Sequence, residues 1–145
     1  MEVDPSEEVV YRLNLAGEHF QAMLKRMKVE DWVGVVQASQ LAVENAAKAV
    51  TAHFIIPSWS HDPSGELLEV CEKLPEALRG KARELAAIAR ELAPEHGRTS
   101  YGAPEQRLTP GVIYDRKAAE RAVKGAERAL NLAKQVLAEL GYPAY

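Results

Sequence analysis

The spacing of the apolar residues is the feature that most restricts the fold of this chain. In five segments, apolar side chains recur every three or four residues, as Val9, Leu13, Ala16, Phe20 and Leu24 do near the N-terminus. This spacing places them on one face of an α-helix. No stretch alternates convincingly between apolar and polar residues, so no sheet is predicted. The expected fold class is all-α.

Start and stop signals divide the chain into five predicted helices. Aspartate caps, first-turn prolines and a terminal glycine mark their ends. The predicted helices cover residues 5–28, a segment from Asp31 to Pro57, a shorter segment after Asp62-Pro63, a segment from Pro75, and a last one from after Asp115 to Gly141. Amphipathic helices with mostly short connections predict an antiparallel up-and-down bundle of four to five helices, forming a single domain over residues 1–145.

Composition and charge limit the classes of function. The chain is 47% hydrophobic and 27% charged, with a formal net charge of −3. Because the net charge is negative, the protein as a whole does not attract nucleic acid, and any anion-binding site must be a local feature. Cys71 is the only cysteine, which excludes a disulfide framework and favours a reducing cytoplasm. No apolar stretch approaches the roughly 20 residues of a membrane span, so we expect a soluble cytoplasmic protein with no membrane partner.

Residues 94–114 lack helical periodicity and are predicted to form a long loop. Loops of this length in compact domains are commonly functional or disordered. This one carries Arg98 and Tyr101. Arginine forks match phosphate oxygens and tyrosine rings stack on bases, so these two residues are candidate ligand-binding residues.

A second candidate group lies on the second predicted helix, where Gln40, Glu44 and Lys48 follow one another at steps of four. They therefore share one face of an otherwise apolar helix. Two interpretations remain open. The periodicity alone favours a solvated face. The alternative is a polar seam in a bundle groove or dimer interface that holds a ligand.

The four histidines are the remaining side chains that could bind a metal or take part in catalysis. No pair has metal-ligand spacing of the H-E-x-x-H kind, and the chain has no glycine-rich phosphate loop. Neither a metal nor a cofactor is therefore expected.

Three pieces of the sequence together resemble the HEPN family (higher eukaryotes and prokaryotes nucleotide-binding). They are SQLAVENAAKAV, which is similar to the family's Q-x-A-x-E-x-x-x-K-A run, His61 before the third helix, and RTSYGAP after the fourth. The resemblance extends over residues 8–140. It implies an all-helical bundle, usually a homodimer, that binds nucleotides or RNA, with Gln40, Glu44, Lys48 and His61 near the ligand. Many members are paired with a nucleotidyltransferase in a toxin–antitoxin-like arrangement.

The resemblance also implies an alternative function. Active members are metal-independent ribonucleases with an R-x(4–6)-H motif, and Arg90 and His96 have this spacing. They would serve as phosphate clamp and general acid/base. The chain departs from the active pattern because Glu91, rather than a neutral polar residue, follows the arginine. Arg98 and Tyr101 are similar to an Arg-Tyr-Pro-like element of another branch. A non-catalytic protein-interaction module is the third interpretation.

Overall fold

The fold is built around one central helix. The computed structural model describes residues 4–143, and in order its elements are α1 (Ser6–Lys28), α2 (Trp32–Ala52), α3 (Ser64–Cys71), α4 (Glu76–Leu92), α5 (Glu95–Tyr101), a 3₁₀ turn (Pro104–Gln106), α6 (Pro110–Ile113) and α7 (Arg116–Glu139). Helix α2 packs against α1, α3, α4, α5 and α7. No β-strand forms within the described residues, and the predicted all-α, antiparallel helical bundle is confirmed.

The burial of α2 explains how the other helices are arranged. Seventeen of its 21 residues are buried. A helix that is buried on nearly all sides must be surrounded by other elements. The small side chains of α7, including Ala119, Ala122, Ala126 and Ala129, are buried and let this helix approach closely. The core therefore lies between α2 and its neighbours.

Aspartate caps fix the starts of the central and last helices. The side chain of Asp31 accepts a hydrogen bond from the Gly34 amide at 3.0 Å, and Asp115 accepts one from the Ala118 amide at 2.9 Å. Each cap satisfies a backbone donor that would otherwise lack a helical acceptor, which contributes about 1 kcal/mol. Both helix starts agree with the sequence prediction. Helix α2 ends at Ala52 rather than continuing to Pro57.

The prediction of a long loop over 94–114 is wrong, because this segment contains α5, the 3₁₀ turn and α6. Pro94 has helical backbone angles and lies immediately before α5, where the missing amide proton costs nothing. Ala93 is helical too, contrary to the expectation that Pro94 would exclude it. Elements this short complete too few turns to give an apolar repeat, so the spacing could not reveal them.

The segment after α5 is closed on itself. At Gly102 the backbone has a φ of 69°, and its amide donates to the carbonyl of Arg98 at 2.8 Å. Ala103 and Leu108 then pair through two backbone hydrogen bonds of 2.8 and 3.1 Å. These two bonds close residues 103–108 into a compact loop that connects α5 to α6.

No helix in the described part of the chain is long and apolar enough to cross a membrane.

Candidate functional site: a buried polar cluster and two stacked histidines

A chain of polar side chains lies inside the bundle on α2. Gln40, Glu44 and Lys48 are 1%, 6% and 2% exposed. Gln40 donates to one carboxylate oxygen of Glu44 at 3.0 Å, and Lys48 donates to the other at 3.1 Å. The interpretation of these residues as a solvated face is wrong. They form a polar seam within the bundle.

The surroundings of Glu44 favour its ionised form. Burial raises the pKa of the Glu44 carboxyl, but the hydrogen bond from Gln40, the charge of Lys48 and the contact with His61 act together in the opposite direction. Their sum holds the pKa of this carboxyl below its ordinary value. Glu44 is therefore a hydrogen-bond acceptor at neutral pH.

Two histidines extend the seam to the surface. The Nδ1 atom of His61, in the loop before α3, lies 3.0 Å from the carboxylate of Glu44, and Nδ1 of His96, on α5, lies 3.1 Å from Oε1 of Gln40. The two imidazole rings stack on each other with centroids 3.5 Å apart and planes inclined by 16°. The His61 side chain is 52% exposed, so the cluster is open to solvent at this end. We name these five residues, Gln40, Glu44, Lys48, His61 and His96, the dihistidine cluster.

The hydrogen bonds determine the tautomers of both rings. Because ionised Glu44 has no proton to give, His61 must donate to it from Nδ1. Gln40 directs its NH₂ group toward Glu44, so its oxygen accepts from Nδ1 of His96. The Nε2 atom of each ring has no hydrogen-bond partner among residues 4–143. With the proton on Nδ1, each Nε2 carries a lone pair that can accept a hydrogen bond or bind a metal ion.

The structure does not join Arg90 to this cluster. Arg90 is exposed in the last turn of α4, and His96 lies beyond the break at Pro94 on a separate helix. In the described part of the chain, no hydrogen bond or ion pair links the two residues. Their spacing in the sequence is thus not matched by a direct contact, and the neighbour of His96 is His61.

Arg98 and Tyr101 occupy other surfaces of α5. Arg98 lies 3.7 Å from the carboxylate of Glu95 and lines a cavity of about 360 Å³ between α4, α5, α6 and α7. The cavity is also lined by Glu91, Arg121 and Tyr114. Tyr101 is 75% exposed. Within the described residues, no hydrogen bond joins Arg98 or Tyr101 to Gln40, Glu44 or Lys48.

Sequence reasoning missed the pair Tyr114 and Glu95 in this cavity. The Tyr114 hydroxyl donates to the Glu95 carboxylate. Burial, followed by this hydrogen bond and the negative charge of Glu95, raises the pKa of Tyr114 above its ordinary value. Glu95 lies on α5 and Tyr114 directly follows α6, and nothing in the sequence pairs these two residues, so no signal could have identified this contact.

Comparisons with known proteins define the class. The model of the HEPN domain matches residues 9–136, and the chain therefore belongs to the HEPN domain family. A solved structure with the same fold, the crystal structure of TT1696 from Thermus thermophilus, superimposes with a TM-score of 0.69 at 21% identity, over 88% of this chain and 96% of that chain. No curated protein matches the sequence.

Proposed function

We propose that this chain binds nucleotides or RNA, and that it recognises their phosphate groups at the exposed end of the dihistidine cluster. The observation that carries the proposal is the paired orientation of His61 and His96, each of which is held at Nδ1 by a buried acceptor. In the imidazolium form each ring donates from Nε2 as well as from Nδ1, so two rings held in this way can give hydrogen bonds and positive charge to phosphate oxygens.

Exposed aromatic side chains support a ligand that contains bases. Trp59, two residues before His61, is 90% exposed, and Tyr101 on α5 is 75% exposed. Large aromatic rings are costly to leave in water, and stacking on a base uses their faces. Arg98, whose side chain is 51% exposed, is a further candidate contact for a phosphate.

Two further parts of the proposal follow from the family. The protein acts as a homodimer, and a nucleotidyltransferase is its partner protein. Light scattering after size-exclusion chromatography measures the first, and co-purification with a nucleotidyltransferase encoded nearby measures the second. A monomer at micromolar concentration would contradict the homodimer.

The test of nucleotide binding is a thermal-shift titration with ATP in the presence of EDTA, repeated by calorimetry. Wild-type protein should be stabilised, since a ligand that binds only the native state raises its stability. His61→Ala and His96→Ala should lose most of the stabilisation. The matched control is His53→Ala, because His53 is also held by a single hydrogen bond, to Tyr142 at 2.7 Å, and is separate from the cluster. No shift at millimolar ATP, or equal shifts in all variants, would contradict the proposal.

Arg98→Ala tests the arginine separately. Arg83, exposed on α4, provides its control. If Arg98 contacts the ligand, only the Arg98 variant should weaken binding. Equal affinities in the two variants would remove Arg98 from the site and leave the histidines in place.

A second candidate function is cleavage of RNA without a metal ion, with His96 as general acid/base. The specific observation that favours it is the His61–His96 stack. One imidazole would take the proton of the 2′-hydroxyl as that oxygen attacks the phosphorus, and the other would protonate the departing 5′-oxygen. General acid–base catalysis of this kind contributes about 10²- to 10⁴-fold to the rate.

Labelled single-stranded RNA incubated in EDTA tests this second function. Cleavage should be lost in His96→Ala and in His61→Ala. Arg90→Ala distinguishes the arrangements, because it abolishes cleavage only if Arg90 is the phosphate clamp. RNA that stays intact with wild-type protein would eliminate the ribonuclease while leaving nucleotide binding untouched.

A further inference from the structure

Three elements bring potential metal ligands together in the dihistidine cluster. Glu44 lies on α2, His61 in the loop before α3 and His96 on α5, and one donor atom from each lies within 4.8 Å of the other two. Because the three residues lie on separate elements, no ligand spacing along a single helix reveals this group. Spacing along the chain therefore does not exclude a metal site here.

The donor types select a class of metal. Two imidazoles and one carboxylate are the protein ligands of many zinc sites that keep a fourth position open. Mg²⁺ and Ca²⁺ prefer oxygen ligands, so two nitrogen donors disfavour them. We propose that Glu44, His61 and His96 bind a transition metal ion of the Zn²⁺ or Co²⁺ type, with the fourth position open to solvent. This inference does not depend on nucleotide binding.

Residues around the three ligands support the site. Metal-binding side chains are usually oriented by a second set of hydrogen bonds. Gln40 and Lys48 hold the two oxygens of Glu44 at 3.0 and 3.1 Å, and Gln40 also accepts from His96 at 3.1 Å. Two of the ligands are already near their required separation. Nδ1 of His61 is 3.0 Å from the Glu44 oxygen, compared with about 3.3 Å between neighbouring ligands on tetrahedral zinc, and an ion bound through this nitrogen would replace the proton that it donates to Glu44, which would move to Nε2.

One ring must turn when the ion binds. An imidazole lone pair lies in the plane of its ring, and two rings inclined by only 16° with centroids 3.5 Å apart do not point at a common atom. His61 is the residue that can turn, because its side chain is 52% exposed and lies in a loop. We therefore expect metal binding to separate the stacked rings.

The charge of Lys48 determines what fills the open position. Lys48 already balances Glu44, so the two positive charges of the ion are not neutralised by the protein. An anionic fourth ligand is favoured in such a site, and a phosphate oxygen would serve. Binding of inorganic phosphate should therefore tighten when the ion is present.

The experiment uses untagged, full-length protein, freed of metal by a chelator and titrated with Co²⁺. Wild-type protein should bind one ion per chain and show the visible absorption of four-coordinate Co²⁺, which Zn²⁺ displaces and Mg²⁺ does not. His61→Gln and His96→Gln should each weaken binding by at least about 100-fold, since even an outer hydrogen-bond partner contributes about 10- to 100-fold. The control His53→Gln should bind like the wild type.

A second measurement covers variants that fail to fold. Nitrogen-15 spectra of wild-type histidine rings, recorded with and without Zn²⁺, should show large shifts for one ring nitrogen each of His61 and His96, and none for His53. Absence of Co²⁺ binding to the wild type would overturn the proposal. Equal binding by His61→Gln and His96→Gln, or a thiolate absorption band from Cys71, would place the ion elsewhere and overturn it too.

Discussion

Replacing Glu44 by glutamine should be one of the most destabilising conservative substitutions in this protein. Glutamine keeps the shape of the side chain and can still accept a hydrogen bond, but it leaves the Lys48 ammonium unpaired at 2% exposure. Breaking a buried ion pair by removing one charge costs about 3–5 kcal/mol. Discharging a lysine at pH 7 costs about 4.6 kcal/mol, which sets the upper limit. We therefore expect a loss of about 3–4.5 kcal/mol.

Urea unfolding of a double-mutant cycle measures this loss. In a parallel thermal scan, Glu44→Gln alone should lower the melting temperature by about 9–14 °C, at about 3 °C per kcal/mol for a chain of this size. Glu44→Gln combined with Lys48→Met removes both charges and should recover most of the free energy of unfolding. In the control Glu84→Gln, the lost partner is Arg128, whose side chain is 54% exposed, and stability should not change measurably.

The pH dependence provides an independent check. Because the fold lowers the pKa of Glu44, its contribution to stability is complete above the ordinary carboxyl range and is lost as the pH falls through the folded pKa. Protonated Glu44 resembles glutamine, so the difference between wild type and Glu44→Gln should shrink on acidification. A loss below about 1 kcal/mol at pH 7, or a double variant that loses the full sum of the single losses, would refute the reasoning.

Three other substitutions test separate features by urea unfolding. Tyr114→Phe removes the hydroxyl that donates to Glu95 and should cost about 1.5 kcal/mol; an unchanged midpoint would show that this bond adds nothing. Gly102→Ala should cost at least about 1 kcal/mol, because φ is 69° and a Cβ would collide with the backbone oxygen of Leu108, whereas Gly111→Ala has nothing within 4 Å and should change little. Ser39→Ala should add about 1 kcal/mol, since the Ser39 hydroxyl is buried with no partner in the described part of the chain; a destabilised variant would imply a bound water there.

The long helices could be predicted because their determinants are local. Asp31 and Asp115 cap α2 and α7 through bonds to amides three residues ahead, and both residues are visible as helix starts in the sequence. Helix α5 could not be predicted in this way. Its seven residues give no repeat, and Pro94, which suggested an end, is compatible with the start of a new helix.

The dihistidine cluster was predictable in part. Steps of four placed Gln40, Glu44 and Lys48 on one face, and the family resemblance added His61. Periodicity assigns residues to a face of a helix but does not state what covers that face. Burial of these three side chains depends on the helices that surround α2. The contact between His61 and His96 likewise depends on tertiary structure, since it joins a loop to α5 across the bundle.

The energetics of α2 favour a functional reason for the cluster. A buried ion pair is often no more stable than apolar side chains of the same volume, because desolvation offsets the attraction between its charges. The rest of α2 consists largely of buried alanine and valine, so an apolar replacement at Glu44 and Lys48 would fit the composition of this helix. Stability alone therefore does not explain why they are charged. Their effect reaches the surface through His61 and His96, whose Nδ1 atoms are held by Glu44 and Gln40 and whose Nε2 atoms remain free within the described residues. The buried charges orient two reactive rings at a solvent-open position, which is the arrangement that a binding site requires.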